Sequence, residues 1–222
     1  MQEKTITQAD NRTGLQRIVA TDVSADDYMA VYADKHYEWV GGIVYAMSPI
    51  HDRHYQIEKY LSNLIDIYFE MNPIGVIKED PFVMRFKFEE ADGTKKEARR
   101  QPDIQVILEK NPGTLTDTYM DGAADIVIEI ISPATEGTDR GIKFSEYRRG
   151  GVREYWIIDP VNQEILFYIL NNESVYVPQY VDNDENYHIS QLPGLVLHVP
   201  TLWQKPLPGV LQTVEYVRGL FV

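Results

Sequence analysis

The sequence predicts one α+β domain built on a mixed sheet with helices on its faces. Apolar residues fall at helical spacing from about Asp52 to Met71, which indicates one long helix. Two short β-branched runs, residues 102–108 and 124–131, are typical of strands buried on both faces. Several short strand patterns separated by turn residues fill residues 153–199. Helices and strands that mix in this order favour the α+β class.

The first half of the domain reads as helix, hairpin and long helix. Ser24 with Asp26 and Asp27 predicts the start of a short helix that ends near residue 33. Two β-rich pieces joined by Gly41-Gly42 predict a hairpin over residues 37–47. Asn72-Pro73 ends the long helix that follows.

The second half alternates strands with one more helix. Strands are predicted over residues 75–77 and 81–88, and the charged segment 89–100 is predicted as a solvated loop or hairpin tip. After the two buried strands, a helix is expected from about residue 135 to Arg149, ended by Gly150-Gly151. The further strands are expected at residues 153–159, 164–170, 174–180, 187–190 and 195–199.

Length and composition limit the domain organisation and the compartment. The 222 residues, 44% of them hydrophobic, suffice for one core. We expect an N-terminal arm at residues 1–22, the domain at residues 23–199, and a tail at residues 200–222 that packs on the body or on a partner subunit. The sequence contains no apolar run of membrane-spanning length and no signal-peptide pattern, so a cytoplasmic protein without a membrane partner is expected. Zero cysteines exclude disulfides, thiolate zinc sites and cysteine nucleophiles.

The charge pattern bears on nucleic-acid binding. The net charge of −13 argues against a large nonspecific nucleic-acid surface. More than half of the Lys and Arg residues, however, lie between Arg85 and Arg153, together with a similar number of acids. A solvated surface of mixed charge is the ordinary explanation for most of them.

Two acids inside the apolar strands are the candidate functional residues. Asp103 follows Pro102, and period two places Glu129 on the same face of its strand as Val127 and Ile131. Because an unpaired buried charge is costly, a divalent cation held by both carboxylates, with the ammonium of Lys143 beside it, is one explanation. Asp103 as a strand-start acid and Glu129 in a structural ion pair are the alternatives.

The helix after Glu129 carries a stripe of three further candidates. Asp139, Lys143 and Tyr147 are four residues apart and lie on one side of a helix. A surface ion pair between Asp139 and Lys143 beside a packed tyrosine is the alternative. Glu38 and His54 are also candidates, although a single histidine in a helix is usually a surface or capping residue.

An ordered set of short motifs resembles a known family. The motifs are YEWVGG at 37–42, MSP at 47–49, His54, PD at 102–103, DIVIEIISP at 125–133, DRGIK at 139–143 and YRRGGVREYWIIDP at 147–160. Together they resemble the putative restriction endonuclease family of the PD-(D/E)xK nucleases, over roughly residues 23–170. The resemblance implies a restriction-endonuclease-like fold, with a mixed β-sheet core and flanking helices.

The resemblance also implies a metal site and the residues that form it. Asp103 and Glu129, with the backbone carbonyl of Ile130, are expected to bind Mg²⁺ or Mn²⁺. The common signature places a lysine where this chain has Ile131, so the resemblance points to Lys143 on the following helix instead. Glu38 joins Asp103, Glu129 and Lys143 as a candidate catalytic residue, and candidates for substrate contact are His54, Tyr147 and Arg140.

The expected function is Mg²⁺-dependent hydrolysis of phosphodiester bonds in DNA by a homodimer. The main alternative is a non-catalytic homodimeric module that keeps the nuclease fold and binds DNA or protein. A glycoside hydrolase with two carboxylates is a third possibility, but it leaves Lys143 without a role.

Overall fold

The computed structural model describes residues 16–47, 51–90, 92–132 and 135–221. Most of the predicted N-terminal arm, residues 1–15, and the motif residues Ser48, Pro49 and Pro133 therefore lie outside the described residues. Within the described ranges, none of the helices has both the length and the apolar character that crossing a bilayer requires.

The chain forms a mixed α+β fold, so the predicted fold class is confirmed. The helices are α1 (Ala25–Val31), α2 (Asp52–Met71), α3 (Phe144–Gly150) and α4 (Val210–Gly219), with a π-helical turn at Thr138–Lys143 and a 3₁₀ turn at Val199–Trp203. The first seven strands are β1 (Arg17–Ala20), β2 (Tyr37–Val40), β3 (Ile43–Ala46), β4 (Gly75–Glu79), β5 (Val83–Glu89), β6 (Lys95–Arg100) and β7 (Ile104–Leu108). The remaining strands are β8 (Thr114–Leu115), β9 (Tyr119–Asp121), β10 (Ile126–Ile130), β11 (Glu154–Asp159), β12 (Glu164–Leu170), β13 (Tyr176–Gln179), β14 (Asn186–His188) and β15 (Val196–His198).

Two large sheets organise the described part of the chain. One has the strand order β1-β3-β2-β6-β5-β9-β8, and the other has the order β13-β12-β11-β10-β7-β4. The second sheet is mixed, because β10 is parallel to β11 and antiparallel to β7. Strands β14 and β15 form a separate pair near the C-terminus.

The long helix α2 covers one face of the second sheet. Its side chains Leu61, Leu64 and Ile65 are fully buried against Ile126 and Ile128 of β10. Replacing one such leucine by alanine would cost about 2–5 kcal/mol of stability. The C-terminal segment completes this core, since Leu202 and Val217 are also fully buried in it.

The other face of β10 looks toward the first sheet and α3. Val127 and Ile131 pack there with Met84, Phe86 and Tyr147. Glu129 lies between Val127 and Ile131 in the sequence, so it points into this second core, as the period-two pattern predicts. The sheet thus presents a carboxylate to a largely apolar layer.

Segment 89–100 and the N-terminal arm differ from the prediction, and β8, β9 and α4 are not predicted at all. The segment 89–100, predicted as a solvated loop or hairpin tip, has its tip near Gly93, but Lys95–Arg100 is the strand β6, paired with both β5 and β2. The charged composition conceals the strand pattern, because Arg100 is buried by pairing with Glu38 from β2 and Arg99 by pairing with Glu97 of the same strand. Arg17–Ala20 also form a strand, at the edge beside β3, where an irregular arm is expected.

Candidate active site

The ends of two neighbouring strands bring Asp103 and Glu129 together. Strands β7 and β10 are antiparallel, with Ile104 opposite Ile128, and the next pair in this register is Asp103 opposite Glu129. Side chains at such positions lie on the same face of a sheet, about 5 Å apart at their Cβ atoms. The backbone amide of Ile130 donates a 2.5 Å hydrogen bond to Asp103 Oδ2, which holds that carboxylate against β10.

The π-helical turn places Lys143 beside Glu129. Lys143 Nζ lies 2.9 Å from Glu129 Oε1, 3.2 Å from Glu38 Oε1 and 3.2 Å from Asp139 Oδ1. Tyr147, one helical turn further on, donates a 2.7 Å hydrogen bond to Glu129 Oε1. The stripe predicted from the sequence therefore faces inward, and its lysine is 3% exposed rather than part of a surface pair.

The charge balance around Lys143 is negative. Burial alone would lower the pKa of Lys143, but the carboxylates of Glu129, Glu38 and Asp139 raise it well above its usual value. Burial raises the pKa of Glu129, and the neighbouring Asp139 and Asp103 carboxylates raise it further against the opposing effect of Lys143. One ammonium thus lies among three buried acids, of which Glu38 has a second cation, Arg100, as a partner.

Glu38 lies behind this lysine. Its Oε1 accepts from the backbone amide of Gln101 at 3.0 Å, and its Oε2 accepts from Arg100 at 2.9 Å and from Gln16 at 2.6 Å. Burial raises the pKa of Glu38, yet Lys143 and Arg100 outweigh it and lower the pKa to about 2. Both carboxylate oxygens are therefore already engaged with protein donors.

His54 lies on the other side of Asp103. Its Nε2 is 3.3 Å from Asp103 Oδ1 and 3.7 Å from Glu58 Oε2, at ion-pair distance but outside hydrogen-bond geometry. Burial lowers the pKa of His54, but the carboxylates of Asp103, Glu58 and Asp80 together more than offset this and raise it. Burial and the nearby Asp103 carboxylate raise the pKa of Glu58 to about 8.

A small cavity of about 40 Å³ joins these groups. Its walls include Asp103, Glu129, Ile130, Asp139, Lys143, His54 and Gln16. A cavity of this size has room for a few waters or an ion with a water, but not for a nucleotide. Within the described ranges, no three histidine or acidic side chains are placed so that they could hold one metal ion by themselves.

Eight of the nine candidate residues lie in this cluster. They are Glu38, His54, Asp103, Glu129, Ile130, Asp139, Lys143 and Tyr147. Arg140 lies outside it: its guanidinium is 2.6 Å from Glu164, 3.5 Å from Asp159 and 3.1 Å from Glu136. A role of Arg140 in substrate contact stays a prediction.

Two further members of the cluster are not indicated by the sequence. Arg100 and Glu146 are 2% and 5% exposed and form an ion pair of 2.8 Å. Arg100 is hidden in a charged run that reads as solvated, and the one local signal is its position just before Gln101-Pro102-Asp103. Glu146 offers no local signal of its own.

Comparison with known proteins identifies relatives of this chain. The family model described as "Putative restriction endonuclease" (Uma2) matches residues 25–200. The crystal structure of a putative nuclease belonging to DUF820 from Anabaena variabilis is similar, with a TM-score of 0.65 and 18% sequence identity, and the match covers 82% of this chain and 97% of that chain. None of the curated proteins matches the chain. The structural likeness establishes the shared fold, and the family match over most of the domain shows that this chain belongs to the putative restriction endonuclease family Uma2.

Proposed function

We propose that this protein is a metal-dependent endonuclease that hydrolyses phosphodiester bonds in DNA. The observation that carries the proposal is the position of Asp103, Glu129 and Lys143 around one cavity, in a chain of a restriction endonuclease family. Two strand-borne carboxylates with an adjacent ammonium are groups suited to metal-assisted phosphodiester hydrolysis.

The residues of the cavity fit a hard divalent cation such as Mg²⁺ or Mn²⁺. Asp103 and Glu129 supply carboxylate oxygens from neighbouring strands, and the excess of buried acids favours a bound cation. The carbonyl of Ile130 would be the third protein ligand. In a strand, the carbonyl of a residue points to the same side as its N–H. The N–H of Ile130 bonds to Asp103, so the carbonyl also points to the β7 side, beyond the end of β7. Magnesium commonly keeps several waters, so two side chains and one carbonyl are sufficient.

The surrounding residues then have distinct tasks. A bound cation supplies polarisation of the phosphodiester and activation of a water. Lys143 is held charged by three carboxylates, so it donates hydrogen bonds to the attacking water or to the phosphate oxygens rather than accepting a proton. The Tyr147 hydroxyl holds Glu129, and the amide of Ile130 holds Asp103.

The cavity is small compared with the substrate. At about 40 Å³ it is smaller than a nucleotide, so we expect lining side chains to move when DNA binds.

DNA cleavage by the purified protein tests the proposal. Supercoiled and linear DNA are incubated with Mg²⁺, Mn²⁺ or a chelator, for the wild type and for Asp103→Asn, Glu129→Gln and Lys143→Met. We expect cleavage that requires the cation and falls at least ~100-fold in each variant. Glu154→Gln is the matched control, because Glu154 is an equally buried glutamate on β11 whose partners are Tyr187, Trp156 and Ser190.

The thermal midpoint provides a second measurement that does not depend on activity. Saturating Mg²⁺ or Mn²⁺ is expected to raise the melting temperature of the wild type and of Glu154→Gln, but not of Asp103→Asn. If the wild type neither cleaves DNA nor responds to either cation, the proposal is wrong and the non-catalytic binding module takes its place.

A further inference from the structure

A row of alternating buried charges extends from the cavity into the protein. It runs from Glu129 through Lys143 and Glu38 to Arg100 and then Glu146. The successive distances are 2.9, 3.2, 2.9 and 2.8 Å. The members farthest from the cavity, Arg100 and Glu146, are not among the residues that would hold a metal ion.

Arg100 fixes two acids at once. Its Nη1 donates to Glu38 Oε2 at 2.9 Å, while Nε and Nη2 donate to Glu146 Oε2 at 2.9 and 2.8 Å. The guanidinium is planar, and its donors have a fixed geometry, so it sets the position of one carboxylate relative to the other. The side chain is 2% exposed, and water therefore cannot replace either partner.

Glu38 links Arg100 to Lys143. Strands β2 and β6 are antiparallel with Trp39 opposite Arg99, so the next pair in the register is Glu38 opposite Arg100. With Oε2 held by Arg100, Oε1 faces Lys143 at 3.2 Å and the amide of Gln101 at 3.0 Å. The Glu38 carboxylate has no free oxygen with which to reach a metal ion or a water in the cavity.

We propose that Arg100 is a positioning residue of the site, which fixes Glu38 and through it the ammonium of Lys143 at the cavity wall. The consequence for catalysis rests on the proposed function, whereas the placement of Lys143 does not. Glu38, a candidate catalytic residue on the sequence pattern, acts in this arrangement through Lys143.

Arg99 is the natural comparison, since it precedes Arg100 on the same strand and faces the opposite way. It is also buried, but it pairs with Glu97 at 3.0 Å and lies over the ring of Trp39. If the buried arginines of β6 only stabilised the fold, replacing either one would have a similar effect. If Arg100 positions the site, only its replacement would affect catalysis.

Steady-state cleavage of DNA separates the two roles. We expect Arg100→Met to lower kcat about 10- to 100-fold with KM changed less than about threefold, because a displaced lysine weakens the chemical step more than binding. Arg100→Lys restores charge without the planar fork and is expected to recover part of kcat. Arg99→Met should leave both constants near the wild-type values. An equal loss of kcat in Arg99→Met would overturn the proposal. So would an Arg100→Met variant in which KM changes and kcat does not.

Acylation of Lys143 measures its placement without any activity. A short pulse of an amine-acylating reagent at one pH, read by mass spectrometry, should modify Lys143 at least about tenfold faster in Arg100→Met than in the wild type or in Arg99→Met. Hydrogen exchange of the α2 amides checks that the core is intact. If Arg100→Met does not fold, Glu146→Gln, which frees one side of the guanidinium, takes its place with a smaller expected increase.

DNA cleavage and acylation of Lys143 test the proposed function and the positioning role of Arg100 separately. A wild type that cleaves no DNA refutes the proposed function, and the acylation rates still decide the positioning role. Unchanged acylation of Lys143 in a folded Arg100→Met or Glu146→Gln variant refutes the positioning role, whatever the cleavage assay shows.

Discussion

At the scale of single residues, the site is governed by a shortage of positive charge. Lys143 is surrounded by Glu129, Glu38 and Asp139, each within 3.2 Å of its ammonium. Burying charges is tolerated only when they are paired, and here the acids outnumber the cations. Burial and neighbouring acids raise the pKa of Glu129, whereas Lys143 and Arg100 outweigh burial and lower the pKa of Glu38, so the two glutamates respond to pH in opposite ways.

Glu38 is expected to stabilise the fold at neutral pH. Its pKa is lowered from 4.5 to about 2, so its contribution is complete above about pH 4.5 and is lost as the pH falls toward 2. A shift of this size corresponds to roughly 3 kcal/mol. We expect Glu38→Gln to lose about that much stability at pH 7, measured by urea unfolding, and the gap from the wild type to close in acid. A gap of the same size at pH 7 and pH 3 would contradict this assignment.

Glu58 is expected to show the opposite dependence. Burial and Asp103 raise its pKa from 4.5 to about 8, so its stabilising contribution is complete below about pH 4.5 and is lost as the pH rises through 8. In chelator, the free energy of unfolding of the wild type should therefore fall between pH 5 and pH 9 more steeply than that of Glu58→Gln. Parallel curves for the two proteins over this range would show that Glu58 is ionised throughout.

At the scale of elements, the sequence predicts the helices and strands whose stabilising features are present in their own local sequence. The bounds of α2, Asp52–Met71, follow from an uninterrupted apolar side and from the Asn72-Pro73 stop. Strands β7 and β10 were recognisable because all five residues of each are buried. Strand β6 was not, because the acids that allow Arg100 to be buried come from β2 and α3, and no window of sequence contains Arg100 with both partners.

The segment before and through α3 offers a matched pair of glycines. A Cβ added at Gly141, in the π-helical turn, would meet no atom within 4 Å, and its φ is not in the left-handed region. A Cβ at Gly150 would come within 2.4 Å of the Phe86 ring. We expect Gly141→Ala to stabilise the protein by about 0.5–1 kcal/mol and Gly150→Ala to destabilise it by about 1–3 kcal/mol. Urea unfolding of both variants checks this, and a destabilised Gly141→Ala would mean that the π-turn needs glycine's backbone freedom.

At the scale of the whole molecule, the site is assembled from distant parts of the chain. Glu38 and Glu129 come from strands of the two different sheets, Asp103 comes from the residue just before β7, and Lys143 comes from the π-helical turn. Sequence alone indicated these residues through a costly buried charge and an ordered set of motifs. It did not indicate the Arg100–Glu146 pair, because a buried ion pair joins residues whose closeness only the fold determines. The homodimer stays a prediction.

The net charge of −13 bears on how the whole molecule would meet DNA. Because a chain this acidic has little long-range attraction for phosphates, we expect weak binding in chelator and a shallow dependence of log K on log salt, with a slope no steeper than about −3. Binding of a labelled duplex is measured by fluorescence anisotropy at constant ionic strength. Adding Ca²⁺, a hard cation that also prefers oxygen ligands, should raise the affinity at least about tenfold.

The Asp103→Asn variant separates a cation at the site from general screening. It removes one carboxylate of the cavity and leaves the surface charges elsewhere unchanged, so Ca²⁺ should no longer raise its affinity for the duplex. Tight binding of the wild type in chelator with a steep salt slope would mean that a broad basic face binds DNA. DNA capture would then not depend on a cation held at Asp103 and Glu129.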